Sequence, residues 1–274
     1  MNNCVSSLNQ KRSLTISIVT YYPDIAELRN TLDSLIRALN KIDFDDFSLV
    51  IIDNSDLDSV SSLLTKYYAK LPWRVIHGHG NIGFGRGHNL ALKEMGNFHL
   101  ILNPDIELHS DTIMNAIEFM IANPRCSLIT PYAQWPDGER QYLCKRYPAI
   151  FDLMLRGFAT KRIRFLFRRR LARYEMQQQT QDKVYWNPPI VSGCFMFFRS
   201  STLERVNGFS DDYFLYFEDF DLSLRVHDFG DIAYVPTVRI VHAGGHAARK
   251  GLWHIQNFVS SSFRFYKRHG IKLL

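Results

Sequence analysis

Three short stretches and one glycine-rich loop in this 274-residue chain carry residue types that can do chemistry. The first stretch is Phe98-His99-Leu100-Ile101-Leu102-Asn103-Pro104-Asp105. Its apolar run reads as a strand buried on both faces. Pro104 has no N–H, so the ladder stops there, and Asn103, before a proline, is held extended. Asp105 is then a carboxylate at the carboxyl end of a central strand, where open α/β sheets bind ligands. A lone aspartate there suits Mg²⁺ or Mn²⁺, since Mg²⁺ takes one or two carboxylates and draws further oxygens from phosphates. The alternative role is capping a helix that starts near Ser110.

The second stretch runs from Asp211 to Arg225 and contains Glu218, Asp219 and Asp221. Five aromatics fall in the eight residues from Tyr213 to Phe220. Aromatic surroundings desolvate a carboxylate and raise its pKa toward that of a useful general base, so Asp219 and Glu218 are candidates for that role. Acids in a first helical turn also complement the helix dipole, which is the alternative. The third stretch, His242-Ala-Gly-Gly-His246 with Arg249-Lys250 after it, follows a strand pattern. The double glycine disfavours two histidines on one helix face, so a single strand-end histidine beside cations points to a metal–diphosphate site. An ordinary loop histidine is the alternative. The loop has five glycines between Gly78 and Gly87 and runs on to Asn89. Such a loop lets backbone approach an anion closely, or is a plain turn. It lacks the G-x-G-x-x-G order of a dinucleotide site, and its histidines lack ligand-like spacing.

Elements able to position these residues are legible from periodicity. Leu14–Tyr21, Phe47–Ile52, Trp73–Ile76 and Cys126–Thr130 read as strands. Between them, Ile25, Leu28, Leu32, Leu35, Ile36 and Leu39 repeat at helical spacing behind Asp24, and helices are predicted over 57–70 and 110–123. The alternation predicts a doubly wound, mostly parallel central sheet flanked by helices. Pro136-Asp137-Gly138 marks a turn between two hairpin arms. Later strands are predicted at Val184–Trp186, at Ile190–Phe198 with a close approach at Ser192-Gly193, and at Ile232–Val235 and Val238–Val241, bent at Pro236. A helix starts near Glu218, and a last one spans 251–269 with Gly270 as its stop. The organisation is a loose tail over 1–12, one domain over 13–250 with a basic helical insertion and linker at 151–183, and a terminal helical segment at 251–274.

Composition narrows the class. Hydrophobic content of 46% and charged content of 22% are those of a soluble globular protein. Four scattered cysteines without a C-x-x-C pair argue against zinc or a disulfide scaffold and fit a reducing compartment. No apolar run approaches the ~20 residues of a membrane span. Lys161–Arg173 holds seven basic residues and no acid, so subtracting it from the net +6 leaves −1 for the rest. There Ile163, Leu166, Phe167 and Leu171 form an apolar stripe beside Arg164, Arg168, Arg169 and Arg173. That pattern predicts docking on an anionic membrane surface, with packing of the stripe on the domain as the alternative. No nucleic-acid-binding motif accompanies the patch, so nucleic acid is not expected as a partner. Gln177–Gln181 reads as a mobile linker.

Taken in order, Val19-Thr20-Tyr21-Tyr22, Asp53-Asn54-Ser55, Asn81 to Asn89, Leu102-Asn-Pro-Asp105, Ser192-Gly193, Phe217-Glu218-Asp219-Phe-Asp221 and His242 resemble the family 2 glycosyltransferases. They are most similar to the bacterial rhamnosyltransferase-like branch. The resemblance covers residues 14–245 and implies the GT-A fold, a Rossmann-like α/β architecture. It implies that Thr20, Tyr22 and Asp53 hold the nucleoside of a nucleotide-sugar. Asn81, Gly83, Phe84, Gly87 and Asn89 would line the nucleotide and its phosphates. Asp105 stands where the family's D-x-D motif ends, with Asn103 replacing the first aspartate. His242 would help hold the divalent metal, Arg249 or Lys250 the diphosphate, and Asp219, with Glu218 beside it, would be the base. The implied activity is inverting transfer of L-rhamnose from dTDP-L-rhamnose to a lipid-linked or lipopolysaccharide glycan. It would take place in the cytoplasm at the inner face of the membrane. UDP-hexose and UDP-galactofuranose donors stay open. So does a non-catalytic membrane-surface or polyanion-binding protein on a degenerate transferase fold.

Overall fold

The computed structural model describes residues 13–42, 46–244 and 251–273. The expected tail over 1–12, and His246, Arg249 and Lys250, lie outside the described residues.

The first half alternates strand and helix. β1 (Ser13–Thr20), α1 (Ile25–Leu39), β2 (Asp46–Asp53), α2 (Ser59–Tyr67) and β3 (Trp73–Ile76) are followed by α3 (Phe84–Asn89), β4 (Phe98–Leu102), β5 (Ile106–Leu108), α4 (Thr112–Ala122) and β6 (Cys126–Gln134). Asp24 starts α1 by accepting from the N–H groups of Ala26 (2.8 Å) and Glu27 (3.2 Å). The α1 stripe Leu28, Leu32, Leu35 and Leu39 is buried with Leu14, Ile16 and Ile18 of β1 in the main core. Thr15 and Ser17, on the other face of β1, are buried too, as in a strand covered on both faces.

The second half contains β7 (Arg140–Gln141), β8 (Cys144–Lys145), α5 (Ile150–Phe158), α6 (Lys161–Leu166), α7 (Arg168–Tyr174), β9 (Tyr185–Trp186), β10 (Ile190–Val191) and β11 (Phe195–Arg199). It closes with α8 (Ser200–Arg205), α9 (Glu218–Val226), β12 (Asp231–His242) and α10 (Leu252–His269). The main sheet runs β3-β2-β1-β4-β11-β6-β12-β5. Its first four strands are parallel. Beyond them β11 runs antiparallel to β4 and to β6, while β12 is parallel to β6 and antiparallel to β5. The chain leaves β3 at the sheet's edge and returns on the far side of β1 to form β4. The topological switch point therefore lies between the carboxyl ends of β1 and β4.

Three expectations change. The two strands around Pro236 are one strand, β12, with a register shift between Val235 and Arg239 that absorbs the proline. The basic insertion is three short helices, because Thr160 caps a new one and Phe167 ends it against the ring of Phe151, 5.3 Å away. Gln177–Gln181 is a packed turn, not a mobile linker: Thr180 is buried, and Arg140 donates to the carbonyls of Thr180 and Gln181. Among the described residues no helix is long and apolar enough to cross a membrane.

Candidate active site

Three groups of side chains meet at the switch point. The first lies at the ends of β1 and β2. Thr20 Oγ1 donates to Asp53 Oδ1 (3.0 Å), which also accepts from the N–H of Ser55 (3.1 Å). Asp53 is fully buried, and its Oδ2 has no hydrogen-bond partner. A buried acceptor without a donor is costly, so it marks a place where a donor N–H or O–H is gained on binding. Tyr22 stands at the rim with φ 45°, its N–H donating to Ser55 Oγ (2.6 Å) and its hydroxyl to Asp56 Oδ2 (2.9 Å).

The glycine loop sits beside this group, but much of it is occupied by the protein itself. Asn81 Oδ1 accepts from the N–H of Gly83 (3.0 Å). Gly83 has φ +91°, and a Cβ there would lie 2.2 Å from the carbonyl oxygen of Phe214, so the loop must be glycine to pass. Phe84 packs edge-on to His88 and Phe209, and Gly87 lies on Val19 of β1. Asn89 is committed on both sides: its Nδ2 donates to the carbonyl of Phe209 (2.8 Å) and its Oδ1 accepts from the same residue's N–H (2.9 Å). It holds the loop after α8 rather than offering free groups to a phosphate. His88 turns away from the other loop histidines: Ser17 Oγ bridges His88 Nδ1 (2.8 Å) and His99 Nε2 (2.9 Å) beneath the sheet. Burial pushes both imidazoles down, His99 to about 3, so both are neutral.

The second group follows β4. Asn103 is fixed by its N–H to the carbonyl of Cys194 (2.9 Å), and its Oδ1 is buried without a partner. Asp105 does not cap a helix; α4 begins behind Asp111. The antiparallel register His242↔Ile106 instead brings the end of β12 alongside Asp105. His242 Nε2 lies 3.5 Å from Asp105 Oδ2. Nδ1 of His242 is 2.7 Å from Gln141 Oε1, an acceptor, which turns Nε2 toward the aspartate. Trp135 lies parallel to this imidazole, at 6.3 Å and 7°. Asp105 Oδ1 and His242 Nε2 are both buried without partners. A carboxylate oxygen and an imidazole nitrogen, both buried and unpartnered, fit a divalent cation. Among the described residues no third His, Cys, Asp or Glu joins them, so further ligands would be substrate or water oxygens.

The third group opens α9. Tyr216 and Phe217 both have positive φ, 70° and 66°, and deliver Glu218 and Asp219 in the first turn. Asp219 Oδ2 accepts from the N–H of Gly193 (2.9 Å), and Oδ1 from its neighbour Phe220 (2.9 Å). A Cβ on Gly193 would crowd Asp219 (3.1 Å) and the Phe84 ring (3.2 Å), which explains the small residue there. Burial raises the Asp219 carboxyl, and the two N–H groups oppose the rise. Burial and then the charge of Asp219 raise Glu218, whose Oε2 has no partner. Residues 193–194 join the groups: Gly193 binds Asp219 and the Cys194 carbonyl binds Asn103, two residues before Asp105. Burial, followed among the raising causes by the charges of Asp105 and Asp219, pushes the Cys194 thiol up to about 12.

The structure thus brings Thr20, Tyr22 and Asp53 together at the ends of β1 and β2, with Asn81, Gly83 and Phe84 in the loop beside them, and gathers Asn103, Asp105, His242, Glu218 and Asp219 around Gly193-Cys194. Gly87 and Asn89 support the walls, and Arg249 lies outside the described residues. Trp135 and Gln141, which orient His242, were not legible. They reach it through the β6–β7 hairpin, and only its turn left a sequence signal.

Known proteins are similar to this chain in sequence or in fold. Rhamnosyltransferase WbbL of Escherichia coli (strain K12) is 28% identical over 261 residues, 87% of this chain and 90% of that protein. The N-acetylglucosaminyl-diphospho-decaprenol L-rhamnosyltransferase of Mycobacterium tuberculosis (strain ATCC 25618 / H37Rv) is 24% identical over 251 residues, covering 85% and 77%. Among solved structures, the mannosyltransferase PcManGT of Pyrobaculum calidifontis, in complex with GDP-Man and Mn²⁺, superposes with a TM-score of 0.61 at 18% identity over 94% of this chain and 66% of its own. GalNAc-T7 with UDP, GalNAc and Mn²⁺ gives 0.61 at 14% identity over 84% of this chain, which spans only 43% of that protein. The profile of glycosyl transferase family 2 matches residues 16–206. With the sheet order, the strand-end aspartates and this match together, the chain belongs to glycosyl transferase family 2 and has the GT-A fold.

Proposed function

We propose that this glycosyltransferase moves L-rhamnose from dTDP-L-rhamnose to a glycan acceptor carried on a lipid or lipopolysaccharide intermediate, inverting the anomeric carbon. The reading rests above all on the facing pair Asp105 and His242, with unpartnered buried atoms, joined through Gly193-Cys194 to the carboxylate of Asp219. The rhamnosyltransferases named above favour rhamnose over another hexose.

In this reading Asp53 Oδ2 accepts an N–H of the nucleoside base, and Tyr22 covers the base at the rim. Asp105 and His242 hold Mn²⁺ or Mg²⁺; one nitrogen beside one oxygen favours Mn²⁺, because Mg²⁺ keeps mainly to oxygen. The cation, when bound, offsets charge on the departing diphosphate. Asp219 accepts the proton of the acceptor hydroxyl as that oxygen bonds to the anomeric carbon and the bond to the diphosphate breaks on the opposite face. A single in-line displacement inverts the centre, and alignment of the two sugars supplies much of the acceleration. Exposed Ile163, Phe165 and Leu166 on α6, among the basic residues of 161–173, support docking on an anionic membrane surface, in this reading its cytoplasmic side, near a lipid-borne acceptor.

Thermal melts with dTDP-L-rhamnose, UDP-glucose and UDP-N-acetylglucosamine, each with and without Mn²⁺ or Mg²⁺, test the donor. A ligand that binds only the folded state raises the melting temperature. Selective stabilisation by dTDP-L-rhamnose is expected, with its metal-dependent part lost in Asp105→Ala. Stabilisation by a UDP-sugar alone would replace the donor, and no response to any nucleotide-sugar would remove the transferase reading.

A further inference from the structure

The acidic motif at the start of α9 has a third carboxylate, Asp221, for which the transfer chemistry has no use. It is fully buried. Arg225 Nε lies 2.7 Å from its Oδ2, while His269 Nε2 lies 2.8 Å and Arg268 Nη1 3.4 Å from its Oδ1. His269 and Arg268 belong to the last turn of α10, beyond the stretch matched by the family profile. Arg225 is itself anchored, donating to the carbonyls of Val206 (2.6 Å) and Gly208 (2.8 Å).

The same helix grips the segment that launches α9. Residues 216 and 217 are both left-handed, a conformation that side chains other than glycine disfavour. Ser261 Oγ of α10 donates to the carbonyl of Leu215 (2.8 Å), and the Tyr216 hydroxyl pairs with His254 Nδ1 (2.9 Å). The Phe217 ring packs on Phe258 (5.1 Å) and Phe265 (5.3 Å), also on α10. On its other side the segment meets the glycine loop, where the N–H of Phe84 donates to the carbonyl of Phe214 (3.2 Å).

At about 100° per residue, Asp219 and Asp221 point to nearly opposite sides of α9. Asp219 faces Gly193; Asp221 faces α10. The helix cannot roll about its axis without breaking the contacts of Asp221. We propose that α10 is a clamp on the catalytic helix, with Asp221 and His269 as positioning residues that fix where the Asp219 carboxylate stands. This rests on Asp219 being the base of the transfer reaction, while the clamp itself can be read without turnover.

Full-length His269→Ala, His269→Gln and Asp221→Asn variants test it by hydrogen exchange and by kinetics. In His269→Ala and Asp221→Asn, exchange at residues 213–221 is expected to rise about tenfold or more while the strands β1 to β4 keep theirs. The turnover number should fall about tenfold with donor KM changed less than about twofold, the pattern of a misplaced reacting group rather than a lost binding contact. His269→Gln keeps a side-chain N–H and should recover most of both effects; Asp221→Asn carries the test if His269→Ala does not fold. Unchanged exchange at 213–221 in Asp221→Asn or His269→Ala would overturn the clamp, and so would a raised donor KM at constant turnover number. A wild-type enzyme without turnover would overturn the transferase reading instead, and the exchange result would still decide the clamp.

Discussion

Glu218 and Asp219 are neighbours in sequence, yet their oxygens meet different surroundings. Asp219 has two N–H donors, and Glu218 Oε2 has none. Of two adjacent buried carboxyls, the one with fewer donors keeps the proton and the better-donated one carries the charge. Ionising Glu218 costs more in the folded protein than in the unfolded chain. Its contribution to stability is complete below the ordinary glutamate value near about 4.3, and is lost as pH rises through the raised folded value. Glu218→Gln removes that loss. Urea unfolding should show the variant gaining on the wild type between about pH 5 and pH 9, and parallel pH curves would refute the assignment. These carboxylates could be found in the sequence because strand ends and helix starts leave local signals. The asparagine at 89 could not be judged that way, since its partner is the backbone of Phe209, 120 residues away.

At the scale of elements, periodicity located the long strands and helices, because each buries a face whose spacing is written locally, but not the short β5 and β8 or the division of Ile190–Phe198 into β10 and β11. What it missed depends on distant contact. The register that sets His242 beside Asp105, the bulge that lets β12 run through Pro236, and the break of the basic segment into α6 and α7 are all set by neighbours. The tie of α3 to β1 and β4 through Ser17 belongs to this scale too. Both imidazoles bound to Ser17 are held neutral, with folded values pushed below the ordinary one. The stability they contribute is present above the unfolded histidine value of about 6.5 and is lost as pH falls toward the folded values. For His99 that window extends down to about 3. Each histidine costs at most ~1.4 kcal/mol per pH unit within its window. Melts from pH 7 to 4.5 should therefore show a steep acid limb, shallower in His99→Gln; a limb of equal slope in both would rule this out.

For the molecule as a whole, positive charge is concentrated on one helical appendage and the rest is close to neutral. On α6, Phe165 is 67% and Leu166 77% exposed, and Met154 of α5 is also exposed. Of the sequence stripe, Ile163 and Leu166 are exposed, while Phe167 and Leu171 are half-buried, Phe167 against the ring of Phe151. Vesicles of phosphatidylglycerol should sediment the protein at low salt and release much of it at about 0.5 M salt, where the screening length shrinks below ~5 Å. Vesicles of phosphatidylcholine should not hold it, and a Phe165→Asp, Leu166→Asp variant should stay in solution with either lipid. Binding that ignored lipid charge would contradict the membrane reading. The order of strands also sets a timetable for synthesis. β4 lies between β1 and β11, but β11 is encoded about 90 residues after β4 ends. At about 5–20 residues per second, a nascent chain waits roughly 5–20 s for the strand that covers its most apolar edge. Through that interval the half-made protein presents bare, hydrophobic β4 to whatever else is in the cell. Any chain that ends before Phe195 never closes it.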